Sequence, residues 1–193
     1  ILKCFVMSYT LSANINNDNE KAASPILIMN QLVDYDKKND HLIDFKKLLP
    51  CGKSFFTYGL TPSRYGEKIC NFLLENGCDP NEPDKDGIYP LQYTICEDLD
   101  GYIRSLISSE KINLTKLIPC KSSLFYKFDK TSNYPNRNMP KNTTYLHLAA
   151  GISNYDIFKL FLKTDGIDVN IKDDFGETPL MIACRCQNVE VIN

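Results

Sequence analysis

The stretch that decides the fold lies near the carboxyl end, where residues 173–184 read DDFGETPLMIAC. Related stretches occur twice upstream, as NTTYLHLAA at 142–150 and DKDGIYPLQY at 84–93. A second amphipathic stretch follows two of these, reading YDIFKLFL at 155–162 and YIRSLI at 102–107. Recurrence of this kind is typical of a repeat protein built from pairs of short helices.

The residue types favour a turn followed by two helices in each unit. Thr178 can cap a first helix by accepting backbone N–H groups. Pro179 then suits the first helical turn, where its missing N–H has no partner to lose. The second stretch, with Leu160 near its centre, is expected to be buried between units.

Glycine and asparagine mark the positions where the backbone is expected to turn. Tight turns between units are predicted at Gly87 and Gly176, and second helices are predicted to end at Gly77 and Gly166. Asn142 is expected to take the turn position, with positive φ, in the remaining repeat.

This pattern resembles the ankyrin repeat, a unit of about 33 residues made of a β-turn and two antiparallel helices. The family's Thr-Pro-Leu-His signature is matched in part by TPLM at 178–181, TYLH at 144–147 and YPLQ at 89–92. The resemblance implies an all-α solenoid of stacked helix pairs. It also implies that His147, at the signature histidine, hydrogen-bonds the turn backbone.

A second self-similarity extends the array upstream, because KLLPCGKSFF at 47–56 echoes KLIPCKSSLF at 116–125. We expect one array over 1–193, with five units at about 1–46, 47–83, 84–115, 116–170 and 171–193. Residues 121–141 are polar with two prolines, which predicts an inserted loop in the fourth unit. The pattern stops within the last predicted helix, so the array is expected to continue past Asn193.

Composition narrows the classes of function. The formal net charge is −2 and the basic residues are scattered, so direct nucleic-acid contact is not expected. No apolar run approaches the roughly 20 residues that span a bilayer, and no signal peptide is recognisable. Most of the eight cysteines lie within apolar helical patterns, which favours a reduced cytoplasmic protein over a disulfide framework. The nucleus, or a host cytosol for a pathogen effector, are the alternative locations.

No catalytic residue, cofactor site or metal site is predicted. His147 is assigned to the turn, and His41 has no acid or nucleophile pattern beside it. Cys184 and Cys186 are too close in sequence for a zinc knuckle, and residues two apart on a helix do not face each other. Phosphate-binding and hydrolase motifs are absent.

The resemblance implies that turn tips and outward positions of the first helices form a groove that binds proteins. The predicted binding residues at the tips are Lys85, Asp86, Ile88, Asp174, Phe175 and Glu177. Those on the helices are Cys96, Glu97, Ile152, Arg185 and Cys186. Phe175 is the first candidate because aromatic residues dominate interface hot spots. The alternatives are a phenylalanine packed on the adjoining tip, and charged side chains that are simply solvated.

The sequence therefore predicts a non-catalytic interaction module or scaffold with a protein partner. The alternative is the same array as a regulatory or targeting arm of a larger enzyme, channel or host-interacting effector. A third class is a regulator that reaches nucleic acid through a transcription factor. Direct DNA contact would require a basic face, which the sequence does not show.

Overall fold

A computed structural model of the chain describes residues 51–60, 66–119, 142–152 and 154–193, with scattered positions between 30 and 49. Most of the predicted first unit and the predicted inserted loop lie outside the described residues.

The described part of the chain consists mainly of short helices. The helices are α1 (Phe55–Gly59), α2 (Gly66–Glu75), α3 (Pro90–Cys96), α4 (Asp100–Ser108), α5 (Tyr145–Gly151), α6 (Tyr155–Leu162), α7 (Pro179–Arg185) and α8 (Val189–Ile192). The strands β1 (Ile118–Pro119) and β2 (Asn142–Thr143) pair antiparallel, with Ile118 opposite Thr143. The predicted all-α helical-repeat class is confirmed.

The helices pack in two rows. The first helices α1, α3, α5 and α7 contact one another in chain order, and the second helices α2, α4, α6 and α8 do the same. None exceeds ten residues, a length at which an isolated helix is marginal in water, so packing must supply most of the stability. The division into units at the predicted boundaries stays a prediction.

The hydrophobic core lies between the two rows and runs along the array. Its fully buried members come from successive pairs, and include Ile69, Leu91, Ile95, Ile103, Leu106, Ala149, Ala150, Ile157 and Phe161. Burying a side chain of this size contributes about 1.5–3 kcal/mol. No single centre dominates, because each pair covers the apolar side of the next.

Helix α6 corrects the expectation for Leu160. The helix buries Ile157, Phe158 and Phe161, which lie on one face at helical spacing, whereas Leu160 is only partly buried. The second stretch is thus buried between pairs as expected, but Phe161 is a fully buried residue of its apolar face and Leu160 is not.

The predicted turn glycines are confirmed, and the prediction for Asn142 is wrong. Positive φ angles occur at Gly77 (84°), Gly87 (75°), Gly166 (79°) and Gly176 (74°). Asn142 instead lies in β2, paired with Pro119. The reason is that Asn142 and Thr143 pair with Pro119 and Ile118 as an extended strand, so the chain does not reverse at Asn142.

Three residues other than glycine also have positive φ, namely Asp98, Glu110 and Gln187. Asp98 and Gln187 follow the first helices α3 and α7 at equivalent positions. A side chain in this left-handed region costs about 1–2 kcal/mol relative to the right-handed one. Sequence analysis did not identify these positions.

Replacing Phe161 with alanine should lower the free energy of unfolding by about 3–5 kcal/mol, because it removes a fully buried ring from the core. The neighbouring change Leu162→Ala is the control, since Leu162 is 44% exposed. Urea denaturation followed by circular dichroism measures both. Equal losses from the two variants would contradict the orientation of α6.

Two opposite substitutions test the backbone conformation of the turns. Gly176→Ala should destabilise the chain by about 1 kcal/mol through backbone strain alone, because an added Cβ there meets no atom within 4 Å. Gln187→Gly, where φ is 56°, should relieve strain and stabilise by up to about 1 kcal/mol. Thermal melts measure both, and a loss of stability in Gln187→Gly would rule out the left-handed conformation at that residue.

Candidate functional site

Three turn tips share one backbone geometry. We name them the Gly52 tip (between Leu49 and Lys53), the Gly87 tip (Asp84–Ile88) and the Gly176 tip (Asp173–Glu177). In each, the N–H of the first residue donates to the carbonyl of the fifth, at 2.8–3.0 Å. The N–H of the glycine donates back to the carbonyl of the first residue, at 2.7–2.9 Å.

A buried carboxylate fixes two of the tips from inside. Asp84 Oδ1 accepts from the N–H groups of Asp86 (2.9 Å) and Ile88 (3.0 Å). Asp173 Oδ1 does the same for Phe175 (2.9 Å) and Glu177 (3.0 Å). Each carboxylate thereby satisfies two backbone donors that the turn would otherwise leave unpaired.

Strands β1 and β2 form a hairpin base in place of a tip between the α3–α4 pair and the α5–α6 pair. Ile118 faces Thr143 as Asp84 faces Ile88 in the Gly87 tip. In the sequence, residues 120–141 therefore connect Pro119 and Asn142 at the place that the turn takes in the tips.

The tips and the hairpin base form one row along the array, the tip row. The N–H of Lys85 donates to the carbonyl of Gly52 at 2.8 Å, which joins the Gly52 and Gly87 tips. At the equivalent position the N–H of Asp174 donates to the carbonyl of Asn142 at 3.4 Å. Asp174 Oδ2 also accepts from the backbone N–H (2.8 Å) and side-chain amide (3.2 Å) of Asn142.

The Gly87 tip is joined to the hairpin base by a side-chain hydrogen bond instead of a backbone one. Pro119 stands where Lys85 and Asp174 stand in their tips and has no N–H to donate. The side chain of Gln92 takes the place of the missing backbone hydrogen bond, because its Nε2 donates to the carbonyl of Pro119 at 2.9 Å. Its Oε1 accepts from the N–H of Tyr89 at 3.3 Å.

His147 occupies the position of Gln92 in the next pair and likewise bonds a backbone carbonyl of the following turn. Its Nε2 lies 3.0 Å from the carbonyl oxygen of Glu177, and its Nδ1 lies 2.8 Å from the hydroxyl of Thr144. A carbonyl can only accept, so Nε2 carries the proton and Nδ1 of the neutral ring accepts from Thr144. The bond to the turn backbone that the resemblance implied is present.

Burial controls the charge of this ring. The side chain is 2% exposed, and loss of solvation lowers the pKa of His147 below its ordinary value of 6.5. The hydrogen bond to the Glu177 carbonyl and the nearby carboxylates of Asp173 and Glu177 oppose this effect without overcoming it. The ring is therefore neutral at pH 7.

The predicted binding residues at the tips are mostly accessible. Lys85, Asp86 and Asp174 are exposed, and Ile88 is partly buried against the core. Phe175 is 47% exposed on the Gly176 tip.

The prediction that Ile152 and Cys96 lie on the surface is wrong. Ile152, where α5 ends, is 8% exposed, and Cys96 is also buried. Cys96 is the last residue of α3 and Ile152 is the residue after α5, and both belong to the hydrophobic core. Glu97 and Cys186 are partly buried.

Glu177 and Arg185 are joined to each other. Arg185 Nη1 lies 2.6 Å from Glu177 Oε2, and both side chains are partly buried. The pair connects the Gly176 tip to the end of α7. Sequence reasoning placed both residues on the surface but did not predict the ion pair.

Other chemistry finds little support in the described residues. No disulfide joins the cysteines there, and burial raises the pKa of the Cys70 and Cys78 thiols to about 12. No group of three or more histidine, cysteine, aspartate or glutamate side chains is arranged for a metal ion in the described ranges. Within those ranges no helix is long and apolar enough to cross a membrane.

Asp84 and Asp173 are the functional residues that sequence analysis missed. Both were quoted within the repeats but given no role. A signal existed, because each stands three residues before a turn glycine, a position where aspartate typically accepts from the following backbone.

The two helix rows and the tip row define a helical-repeat protein. A family model described as ankyrin repeats (3 copies) matches residues 63–173 and 114–193. These matches cover more than half of the chain, which belongs to the ankyrin repeat family. No curated protein matches it. Ankyrin repeats are general protein–protein interaction modules and are typically non-catalytic.

Replacing Asp173 with alanine should destabilise the chain by about 1–3 kcal/mol, because two partly buried N–H groups lose their acceptor. Asp173→Asn keeps an acceptor oxygen at the same place and should lose less. Urea midpoints measure the difference between the variants. Equal effects of alanine and asparagine would show that the carboxylate does not hold the tip.

Proposed function

We propose that this chain is a non-catalytic module that binds a protein partner through its tip row, with Phe175 as the apolar anchor. The single observation that carries the proposal is the half-exposed ring of Phe175 on a tip fixed by hydrogen bonds on both sides. Large exposed aromatic side chains are the residues most often found at the centre of protein interfaces.

Rigidity of the Gly176 tip favours binding. Asp173 holds the backbone of Phe175 from inside, and Asp174 joins the tip to Asn142 of the preceding unit. A side chain presented on a fixed backbone loses less conformational freedom when it binds. Phe175 therefore offers more affinity than the same residue on a loose loop.

Polar groups surround this anchor as they do in the rims of protein interfaces. The Glu177–Arg185 ion pair lies on the same tip, and exposed Lys85 and Asp86 lie further along the row. Asn142 of the hairpin base lies next to the Gly176 tip, through its contact with Asp174. We infer that the partner contacts this half of the tip row.

The chemistry of the buried groups supports a non-catalytic role. Both ring nitrogens of His147 are engaged in hydrogen bonds, and the Cys70 and Cys78 thiols are protonated at neutral pH. A cytosolic location belongs to the same proposal, because cysteines buried among apolar side chains behave as small hydrophobes and do not need oxidation.

Phe175→Ala should weaken partner binding by at least about tenfold, or about 1.4 kcal/mol, while the melting temperature stays nearly unchanged. Leu162→Ala is the matched control, because Leu162 is similarly exposed but lies on α6, away from the tip row. A photo-crosslinking residue at position 175, with a second one at position 162, identifies the partner by covalent capture. Calorimetry with that purified partner then gives the affinity of each variant.

Unchanged affinity in Phe175→Ala would contradict the assignment of the anchor. Equal capture from positions 175 and 162 would contradict the tip row as the binding surface.

A further inference from the structure

His147 lies where the α5–α6 pair meets the α7–α8 pair and hydrogen-bonds across this contact. The ring is held between the Thr144 hydroxyl on its own helix and the Glu177 carbonyl of the following tip. A second proton would have to occupy Nδ1, the atom that now accepts from Thr144. Protonation in place therefore requires the Thr144 hydroxyl to turn and accept from Nδ1, and it leaves a cation without water around it.

The charged groups around the ring favour its protonation but do not outweigh the loss of solvation. Asp173 and Glu177 face it from the Gly176 tip, but Asp173 already accepts two backbone N–H groups and Glu177 already binds Arg185 of α7. Helices α3 and α5 carry no charged side chain except the histidine itself when protonated. On α6, Asp156 and Lys159 are exposed. Loss of solvation is the larger effect on the ring.

The α7–α8 pair is joined to the α5–α6 pair by apolar and polar contacts. Helix α7 buries Pro179, Ile182 and Ala183. The side chain of Asn188, which precedes α8, is buried, and its Nδ2 donates to the carbonyls of Ala150 and Ile152. Separation of the two pairs breaks these contacts and brings His147 into water.

We propose that separation of the α7–α8 pair from the α5–α6 pair is coupled to protonation of His147, so that mild acid loosens the Gly176 tip. The ring binds a proton more readily in the separated state, where its pKa is the ordinary value of about 6.5, than in the packed state. The packed state is thus fully favoured above pH 6.5. As the pH falls from 6.5 toward the lower pKa of the packed ring, the ratio of packed to separated molecules decreases by up to about tenfold per pH unit.

The chain contains its own control for this coupling. Gln92 stands at the same position of the preceding pair and donates the same kind of bond to the Pro119 carbonyl, but its amide does not titrate. The junction that Gln92 closes should therefore not respond to acid in this way. His147→Gln places the same non-titrating side chain at the α5–α7 junction.

Hydrogen–deuterium exchange of the full chain at pH 7.5 and 5.5 tests the proposal, with rates corrected for the pH dependence of intrinsic exchange. In the unmodified chain, peptides covering 173–185 should open up to about tenfold more at pH 5.5, while peptides from α3 and α4 should change much less. In His147→Gln the additional opening of 173–185 should disappear. An equal acid response in both chains, or none in the unmodified chain, would overturn the proposal.

A measurement on the unmodified chain keeps the test independent of that variant's folding. An NMR titration, with the His41 signal assigned by substitution of that residue, gives the pKa of His147 directly. A pKa clearly below 6.5 supports the coupling, and one at or above 6.5 overturns it. Neither readout needs a binding partner, so the proposal stands or falls separately from the proposed function.

Discussion

Each helix pair of this protein has an apolar side that only the neighbouring pair can cover. Helices of ten residues or fewer cannot hold themselves together in water, so the stability of one pair depends on contact with the next. Ile103, Ile157 and Phe161 show the result, since all are completely buried between pairs. The two rows of helices and the continuous core follow from this dependence.

Apolar contact alone would not fix how one pair sits on the next, because it has no preferred direction. Hydrogen bonds of the tip row fix the orientation of one pair relative to the next. They are the backbone bonds from Lys85 and Asp174 and the side-chain bonds from Gln92 and His147. Each of these bonds joins one donor to one acceptor at a fixed position along the array. The same bonds hold the tips that present the exposed side chains, so packing order and the binding surface have a common origin.

Much of the architecture was predictable because it depends on local patterns. Helical spacing located the pairs, and Gly87 and Gly176 located the turns. The errors at Ile152 and Asn142 have a different cause. A first helix of seven residues makes only two turns, so its pattern does not show which way the residue after it points. The conformation of Asn142 depends on residues across the inserted segment. The Glu177–Arg185 pair likewise joins a turn to the far end of a helix, a contact that linear spacing does not reveal.

The hairpin base has a consequence for how the sequence of this chain can change. The pairing of Ile118 with Thr143 joins the chain between α4 and α5, so this clasp connects the helices on either side. The entropy of closing a flexible loop grows only with the logarithm of its length, about 0.6 kcal/mol for each doubling. Relatives of this chain could therefore lengthen, shorten or replace the enclosed residues at little thermodynamic cost. The connection between β1 and β2 is thus a place where new sequence can be acquired while the helices on either side stay as they are.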